Sequence, residues 1–192
     1  TNSGDVTGIG SDSSVGGIIG HAYAEGKGTG DGRTCNGGHS CACTMVSNCT
    51  NRGDITATGA NSSTGGIIGY GYSSGDGIGY GSYGYGYGYG YIMISRCSNS
   101  GNVVGMGNGS LSFTGGIMGY GLAEGSTNNY GFPVTGVASG TGSGTLTLTN
   151  SYNIGAIIAM EGYAGGMIGG MISERFGRAK SVSFAAVKTS YS

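Results

Sequence analysis

The pentapeptide Gly16-Gly17-Ile18-Ile19-Gly20 decides how this sequence folds, because it returns at regular intervals along the chain. Its further copies are residues 65–69 (GGIIG), 115–119 (GGIMG) and 165–169 (GGMIG). The intervals between the first glycines are 49, 50 and 50 residues in a chain of 192. An internal period of this length is typical of stacked repeat architectures, so we expect four similar coils.

A second marker lies upstream of each pentapeptide and repeats in the same order. It reads TNSGDV from Thr1, TNRGDI from Thr50, SNSGNV from Ser98 and TNSYNI from Thr149. Aligning the copies predicts two columns, meaning sets of residues that share one position in successive coils. They are Asn2, Asn51, Asn99 and Asn150, and Asp5, Asp54, Asn102 and Asn153. Stacked asparagines can hydrogen-bond along such a column.

Short apolar or β-branched runs precede the second marker, at residues 44–49, 92–97 and 145–148. Runs of this kind, bounded by turn residues, predict strands, and no helical period competes with them. With about three short strands in each repeat, the sequence predicts an all-β fold, a parallel β-solenoid (β-helix) of four coils with lateral Gly/Tyr-rich inserts. Coils would pair at about 4.8 Å around a thin core of Ile, Met and Val.

The composition excludes several other classes of protein. Glycine supplies 47 of 192 residues, with one proline and a formal net charge of −1. So little charge argues against a charge-solvated disordered chain, and scarce proline without a glycine triplet period excludes collagen. No apolar stretch reaches the ~20 residues of a membrane helix. The sequence has no Lys/Arg cluster interleaved with aromatic residues, so we do not expect nucleic-acid binding.

The repeats divide one domain, residues 1–192, into approximately 1–48, 49–96, 97–147 and 148–192. If Ser192 is joined to Thr1 of a second copy, the junction continues the repeat in register. We therefore expect the sequence to hold four whole coils cut at a coil boundary.

The run CTNRGDI at residues 49–55, followed by GGIIG at 65–69, resembles the GLUG-motif repeats of large bacterial surface proteins and adhesins. The next repeat, from Cys97 onward, resembles them equally well, whereas the fourth has Leu148 and Tyr152 at the places of the cysteine and first glycine. The resemblance implies a secreted, surface-displayed β-solenoid with an adhesive or structural role. It transfers no functional residue.

Long inserts follow the pentapeptides, at about residues 21–43, 71–90, 121–144 and 171–180, and are expected along one edge of the solenoid. The second holds a tyrosine run that mostly alternates with glycine: Tyr80, Tyr83, Tyr85, Tyr87, Tyr89 and Tyr91. An extended strand would place these phenols on one face and the glycines on the other. We expect a lateral contact surface for sugars or a neighbouring chain, the alternative being a flexible low-complexity loop.

Three further aromatic residues, His21, Tyr70 and Tyr120, share the position directly after the pentapeptide. We interpret this column as a structural ladder rather than a binding cleft.

Five cysteines are disulfide candidates: Cys35, Cys41, Cys43, Cys49 and Cys97. The first three, with His39 among them, lack the spacing of a zinc knuckle, so disulfides are favoured over a metal site. Cys49 and Cys97 share one column, close enough to bond, the alternative being two buried thiols. We expect neither a metal nor another cofactor.

The sequence does not indicate an enzyme. With two histidines, it offers no Ser/His/Asp or Cys/His constellation. The column that starts at Asp5 could suggest a cation site or the acidic groove of a polysaccharide-degrading β-helix enzyme. Only two of its members are charged, which favours solvated corner residues.

Charges of opposite sign gather at the two ends of the chain. Asp5 and Asp12 lie near the start, and the basic residues near the end are Arg175, Arg178, Lys180 and Lys188. No polar capping repeat is recognisable. We therefore expect a non-enzymatic structural protein that self-assembles head to tail into an extracellular β-solenoid filament or surface appendage. The alternatives are a repeat module of a cell-surface adhesin that binds glycans through its Tyr-rich edge and a polysaccharide-degrading enzyme.

Three sequons are candidate N-glycosylation sites, at Asn48, Asn61 and Asn108. They fit an extracellular or cell-surface location.

Overall fold

The computed structural model describes residues 1–31, 37–80, 85–130, 139–177 and 181–188. Within these ranges the chain is all β, and its strands pair in parallel from coil to coil, which confirms the predicted β-solenoid. The same ranges contain no helix long and apolar enough to cross a membrane. Four residues singled out from the sequence lie outside the described residues: Cys35, Tyr83, Arg178 and Lys180.

Each coil contributes one strand to each of four or five sheets. Coil 1 holds β1 (Val6–Gly8), β2 (Ser14–Gly16), β3 (Ile19–Asp31) and β4 (Gly37–Ser47). Coil 2 holds β5 (Thr50–Asn51), β6 (Ile55–Ala57), β7 (Ser63–Gly65), β8 (Ile68–Tyr80) and β9 (Tyr85–Ser95). Coil 3 holds β10 (Ser98–Asn99), β11 (Val103–Gly105), β12 (Phe113–Gly115), β13 (Met118–Tyr130) and β14 (Ser139–Thr149). Coil 4 holds β15 (Tyr152–Asn153), β16 (Ile157–Ala159), β17 (Tyr163–Gly165), β18 (Ile168–Gly177) and β19 (Ser181–Lys188).

Counterpart strands of successive coils make five parallel sheets. Sheet A joins β5, β10 and β15; sheet B joins β1, β6, β11 and β16; and sheet C joins β2, β7, β12 and β17. Sheet D joins β3, β8, β13 and β18, and sheet E joins β4, β9, β14 and β19. In sheet B, Val6 lies opposite Ile55, Ile55 opposite Val103 and Val103 opposite Ile157.

The apolar core lies inside the stack and is most complete in the two central coils. Its fully buried members include Ile67, Ile68, Ile92, Ile94, Ile117, Met118, Leu146 and Leu148. A smaller cluster forms around Ile55 and Val103. Burying an Ile, Leu, Val or Met side chain contributes about 1.5–3 kcal/mol, so a narrow core can stabilise the stack.

The predicted inserts are long paired strands that extend each coil sideways as a two-layered arm of sheets D and E. Glycines line the space between the layers, because a Cβ at Gly88 would overlap the backbone carbonyl of Asp76. Gly86 and Gly90 are equally close to the backbone of β8. Alternation along β9 therefore buries glycine and turns tyrosine outward, as the sequence predicts.

The register of coil 4 differs from the prediction by three residues. Asn153, not Asn150, lies opposite Asn99. Asn150 takes a left-handed turn conformation (φ 48°), as Asn48 and Arg96 do in earlier coils. The first asparagine of the fourth marker therefore serves as the corner residue, and Ala156 rather than Asn153 completes the column that begins at Asp5.

Candidate functional sites

An asparagine ladder crosses all four coils. The side-chain nitrogens of Asn2, Asn51 and Asn99 each donate to the side-chain oxygen of the next asparagine, at 2.8, 2.7 and 2.7 Å. Each nitrogen also donates to a carbonyl two residues ahead, as Asn51 does to Gly53 at 2.7 Å. All inter-coil side-chain donors of this ladder point from coil 1 toward coil 4. Among the described residues, the ladder ends at Asn153. The side-chain nitrogen of Asn153 donates only to the Gly155 carbonyl, so its second amide hydrogen has no described acceptor.

The second column satisfies backbone amides. The amide of Asp54 donates to Oδ1 of Asp5 at 2.8 Å, and that of Asn102 donates to Oδ1 of Asp54 at 2.8 Å. The amide of Ala156 donates to Oδ1 of Asn102 at 3.2 Å. Within the described ranges, no group of three or more His, Cys, Asp or Glu residues could hold a metal ion. The Asp5 and Asp54 carboxylates accept backbone amide hydrogen bonds from the following coil.

Of the charged residues proposed for end-to-end assembly, the structure describes two in coil 1 and the backbone of two in coil 4. Asp5 and Asp12 are exposed on coil 1, whereas Arg175 and Lys188 belong to strands β18 and β19 of coil 4. Their registers place Arg175 opposite Gly125 and Lys188 opposite Thr149. Neither position shares a column with Asp5.

The tyrosine row lies on the outer face of sheet E. Tyr85, Tyr87, Tyr89 and Tyr91 project outward from β9, whereas Tyr80 ends β8 in the other layer of the arm. The Tyr87 ring stacks on His39 of coil 1, with centroids 4.6 Å apart. Burial, and then the neighbouring Cys41, raises the pKa of Tyr91.

Four of the five cysteines are described, and all four are free thiols. Cys41 and Cys43 project from one face of the same strand, which sets their Cβ atoms too far apart for a disulfide. Cys97 lies in the column of Cys49 but is buried, and its thiol donates to the Ser95 carbonyl at 3.3 Å. Burial raises the pKa of Cys97. The predicted disulfides are not formed among these four residues, and of the alternative, two buried thiols, Cys97 is buried whereas Cys49 is half-buried.

A groove of about 370 Å³ runs along the solenoid where sheets C and D meet. Its aromatic wall is the column of His21, Tyr70 and Tyr120 from sheet D. His21 meets Tyr70 edge-to-face at 4.7 Å, and Tyr70 lies 5.4 Å from Tyr120. Phe113 from sheet C stacks on Tyr120 at 4.4 Å. The aromatic column is therefore the wall of a groove as well as a ladder.

The opposite wall of the groove is polar in coils 1 and 2, whereas coil 3 contributes Leu111 and Phe113 to it. Asp12 and Asn61 occupy turns with φ of 54° and 53°, a conformation that these two residue types tolerate well. Ser14 and Ser63 follow from sheet C. The side chains of these four residues make no hydrogen bond to any other described residue. Their polar atoms are available to a ligand.

The aromatic lining continues toward coil 4. Phe113 leans over Gly170, where an added Cβ would overlap its ring, and stacks on Tyr163 at 5.2 Å. A second cavity of about 340 Å³ follows, and it shares Leu111, Phe113 and Tyr120 with the first. The repeat pattern by itself did not predict this groove. The one available signal was the replacement of serine by Phe113 and Tyr163 in the column that begins at Ser14.

Acidic side chains lie beside the groove on sheet D. The Tyr72 hydroxyl donates to Glu124 at 2.5 Å, and Tyr23 donates to Glu25. Burial and the bond to Glu124 raise the pKa of Tyr72. Burial is the largest cause that raises the pKa of Tyr70, and the neighbouring Tyr120 and the charge of Glu124 raise it further. The aromatic wall therefore lies in a negative potential.

The three sequon asparagines lie in different settings. Asn48 is exposed at a turn, Asn61 is half-buried in the groove and Asn108 is exposed.

No family model, no curated protein and no solved structure matches this chain in comparisons with known proteins.

Proposed function

We propose that this chain is a non-enzymatic structural protein that stacks end to end with further copies of itself into an extracellular or cell-surface β-solenoid filament. The observation that carries the proposal is the polarity of the asparagine ladder. Oδ1 of Asn2 accepts from the Gly4 amide at 3.3 Å but from no described asparagine of another coil, and an amide hydrogen of Asn153 has no described inter-coil acceptor. Stacking coil 4 of one copy on coil 1 of the next would join this donor to this acceptor.

The end coils leave the core partly open, which also supports stacking. Ile55 and Val103 are fully buried in the central coils, whereas their counterparts Val6 and Ile157 are only partly buried. Exposed strand edges and apolar side chains at the end of a sheet favour pairing with another chain. A stacked copy would give the end coils the environment of the central ones.

The test compares two neighbouring isoleucines of β16. Ile157 belongs to the inward column, whereas Ile158 is 51% exposed on the outer face. Ile157→Lys would place a charge in the seam, and Ile158→Lys adds the same charge outside it. We expect elongated filaments of the wild type and of Ile158→Lys in electron micrographs, and monomers of Ile157→Lys with an unchanged circular dichroism spectrum.

Two results would contradict the proposal. The first is a wild-type chain that stays a monodisperse monomer at high concentration in analytical ultracentrifugation. The second is a folded Ile157→Lys protein that forms filaments as readily as Ile158→Lys.

A second candidate function is favoured by the outward tyrosine row of β9. In that interpretation the chain is a repeat module of a cell-surface adhesin that binds glycans through Tyr85, Tyr87, Tyr89 and Tyr91. The resemblance to GLUG-motif repeats supports surface display for both candidates. A glycan array with the wild type and Tyr87→Ala tests it, and binding that does not depend on Tyr87 would count against this role.

A further inference from the structure

We propose that the groove between sheets C and D binds a neutral oligosaccharide chain that lies along the solenoid axis. This site is separate from the tyrosine row of β9 and does not depend on filament assembly. The proposal rests on the two walls of the groove, on their charge and on their repetition from coil to coil.

The aromatic wall offers ring faces and edges at successive coils. Tyr70, Tyr120 and Phe113 are half-buried, so their positions are fixed by neighbouring rings at 4.4–5.4 Å while part of each ring stays open to the groove. A sugar ring carries a patch of C–H groups on one face, which packs against an aromatic ring without desolvating a hydroxyl. Tyrosine combines such an apolar face with a polar tip.

The polar wall supplies donors and acceptors for the sugar hydroxyls. Asp12 offers a carboxylate, Asn61 an amide, and Ser14 and Ser63 hydroxyl groups, none of them bonded to another described residue through its side chain. A volume of about 370 Å³ is within the usual range of ligand sites. One apolar wall facing a few convergent polar groups matches the amphipathic surface of a pyranose.

The charge of the site favours a neutral ligand over an anionic one. Asp12 lines the groove, and no lysine or arginine does so among the described residues. Glu124 lies close enough to Tyr70 to oppose ionisation of its phenol. A uronic acid would meet this negative potential without a cationic partner.

The repetition of the site favours a chain over a single sugar. Groove residues come from coils 1, 2 and 3 and rise by one coil spacing, about 4.8 Å, from His21 to Tyr70 to Tyr120. Sugar units in an extended chain advance by a similar distance. Affinity should therefore grow up to about three units and then level off.

The experiment is a calorimetric titration of the full chain with mono-, di-, tri- and hexasaccharides of three neutral series, cello-, manno- and chito-oligosaccharides. Hexagalacturonate serves as the anionic probe. Tyr70→Ala removes a groove ring, and Tyr152→Ala is the control. Tyr152 is an exposed tyrosine of sheet A that lines neither the groove nor the tyrosine row of β9. Melting curves verify that both variants fold.

We expect one neutral series to bind with the predicted dependence on length, and hexagalacturonate to bind at least tenfold more weakly. Tyr70→Ala should weaken binding by about tenfold and Tyr152→Ala should leave it unchanged. Repeating the titration with Ile157→Lys separates binding from assembly, and the same affinity is expected. The proposal is overturned if no neutral series binds, if hexagalacturonate binds best, or if Tyr70→Ala lowers the affinity no more than Tyr152→Ala does.

Discussion

Asn99 shows how single side chains hold neighbouring coils together. It is fully buried, accepts from Asn51 at 2.7 Å, and donates to Asn153 and to the Gly101 carbonyl at 2.7 Å each. A buried amide is costly unless its donors and acceptors are paired. The ladder therefore satisfies polar groups inside a thin core, and it also fixes the register of the coils.

Replacing Asn99 by alanine should destabilise the chain strongly, because the nitrogen of Asn51 and the carbonyl of Gly101 would lose buried partners. We expect the free energy of unfolding to fall by about 2–4 kcal/mol. Asn2→Ala, at the exposed end of the same ladder, should cost about 1 kcal/mol or less. Urea denaturation followed by circular dichroism measures both, and equal losses would contradict an energetic role for burial of the ladder.

The raised pKa of Tyr72 makes stability depend on alkaline pH. A free tyrosine ionises near pH 10, whereas burial and Glu124 keep Tyr72 protonated in the fold to higher pH. Above about pH 10 the unfolded chain therefore binds fewer protons than the folded one, and the free energy of unfolding falls as pH rises.

Tyr72→Phe should make this alkaline decline less steep between about pH 10 and 11.5. The variant should also lose about 1 kcal/mol at pH 8, because its hydrogen bond to Glu124 is gone. Urea titrations at a series of pH values measure both quantities. A decline with the same slope as that of the wild type would show that Tyr72 does not contribute.

At the scale of the strand, glycine allows the two layers of each arm to approach. A side chain at the glycine positions of β9 would overlap backbone atoms of β8. The tyrosine-glycine alternation is therefore a packing requirement rather than low complexity. The glycine costs conformational entropy on folding. The glycines also allow a flat outer face on which the tyrosines are held in order.

Gly88→Ala should force the layers of the arm apart, because the added Cβ overlaps the Asp76 carbonyl and lies close to that of Gly26. We expect a loss of about 2–3 kcal/mol in unfolding free energy. Gly10→Ala is the matched control, since nothing lies within 4 Å of a Cβ at that position. The two variants are compared by thermal melting, and similar melting temperatures would refute tight packing of the arm.

On the scale of the whole molecule, the stack has an acidic first coil and basic residues in or near the strands of its last coil. Because Asp5 does not share a column with Arg175 or Lys188, the attraction would act over a distance and be screened by salt. Charge would therefore affect the rate of end-to-end encounter more than the stability of the seam.

Filament elongation should slow several-fold between 20 and 500 mM NaCl, with Debye lengths of roughly 20 Å and 4 Å. Replacing Arg175, Arg178 and Lys180 together by glutamine should slow elongation at low salt and reduce its salt dependence. Arg52→Gln, at an exposed position of coil 2, removes a charge away from either end and serves as control. Light scattering gives the rates. An unchanged salt dependence of the triple variant would show that these three basic residues do not speed end-to-end encounter.

The predictable part of the fold came from repetition. Residues 65–69 and their counterparts indicate the coil period, and the alternation from Tyr85 to Tyr91 indicates a strand with one aromatic face. The predicted register of the fourth marker was wrong, because Asn150 and Asn153 are both asparagines. Only the backbone geometry shows that Asn150 is the corner residue. An exposed turn and a buried ladder position can carry the same residue type, so identity alone does not distinguish them.

By itself the sequence determined the β-solenoid, because parallel stacking aligns repeated residues and needs only a local period to be recognised. Tertiary structure alone decided the groove. Asp12 lies in the turn before sheet C and His21 lies in sheet D, and Phe113 reaches Tyr120 only because the chain turns between β12 and β13. It also decided that Cys41 and Cys43 lie on one face of their strand and that Asn153, not Asn150, continues the ladder into coil 4. A repeat specifies which residues stack, whereas the angle between neighbouring sheets specifies which columns face each other.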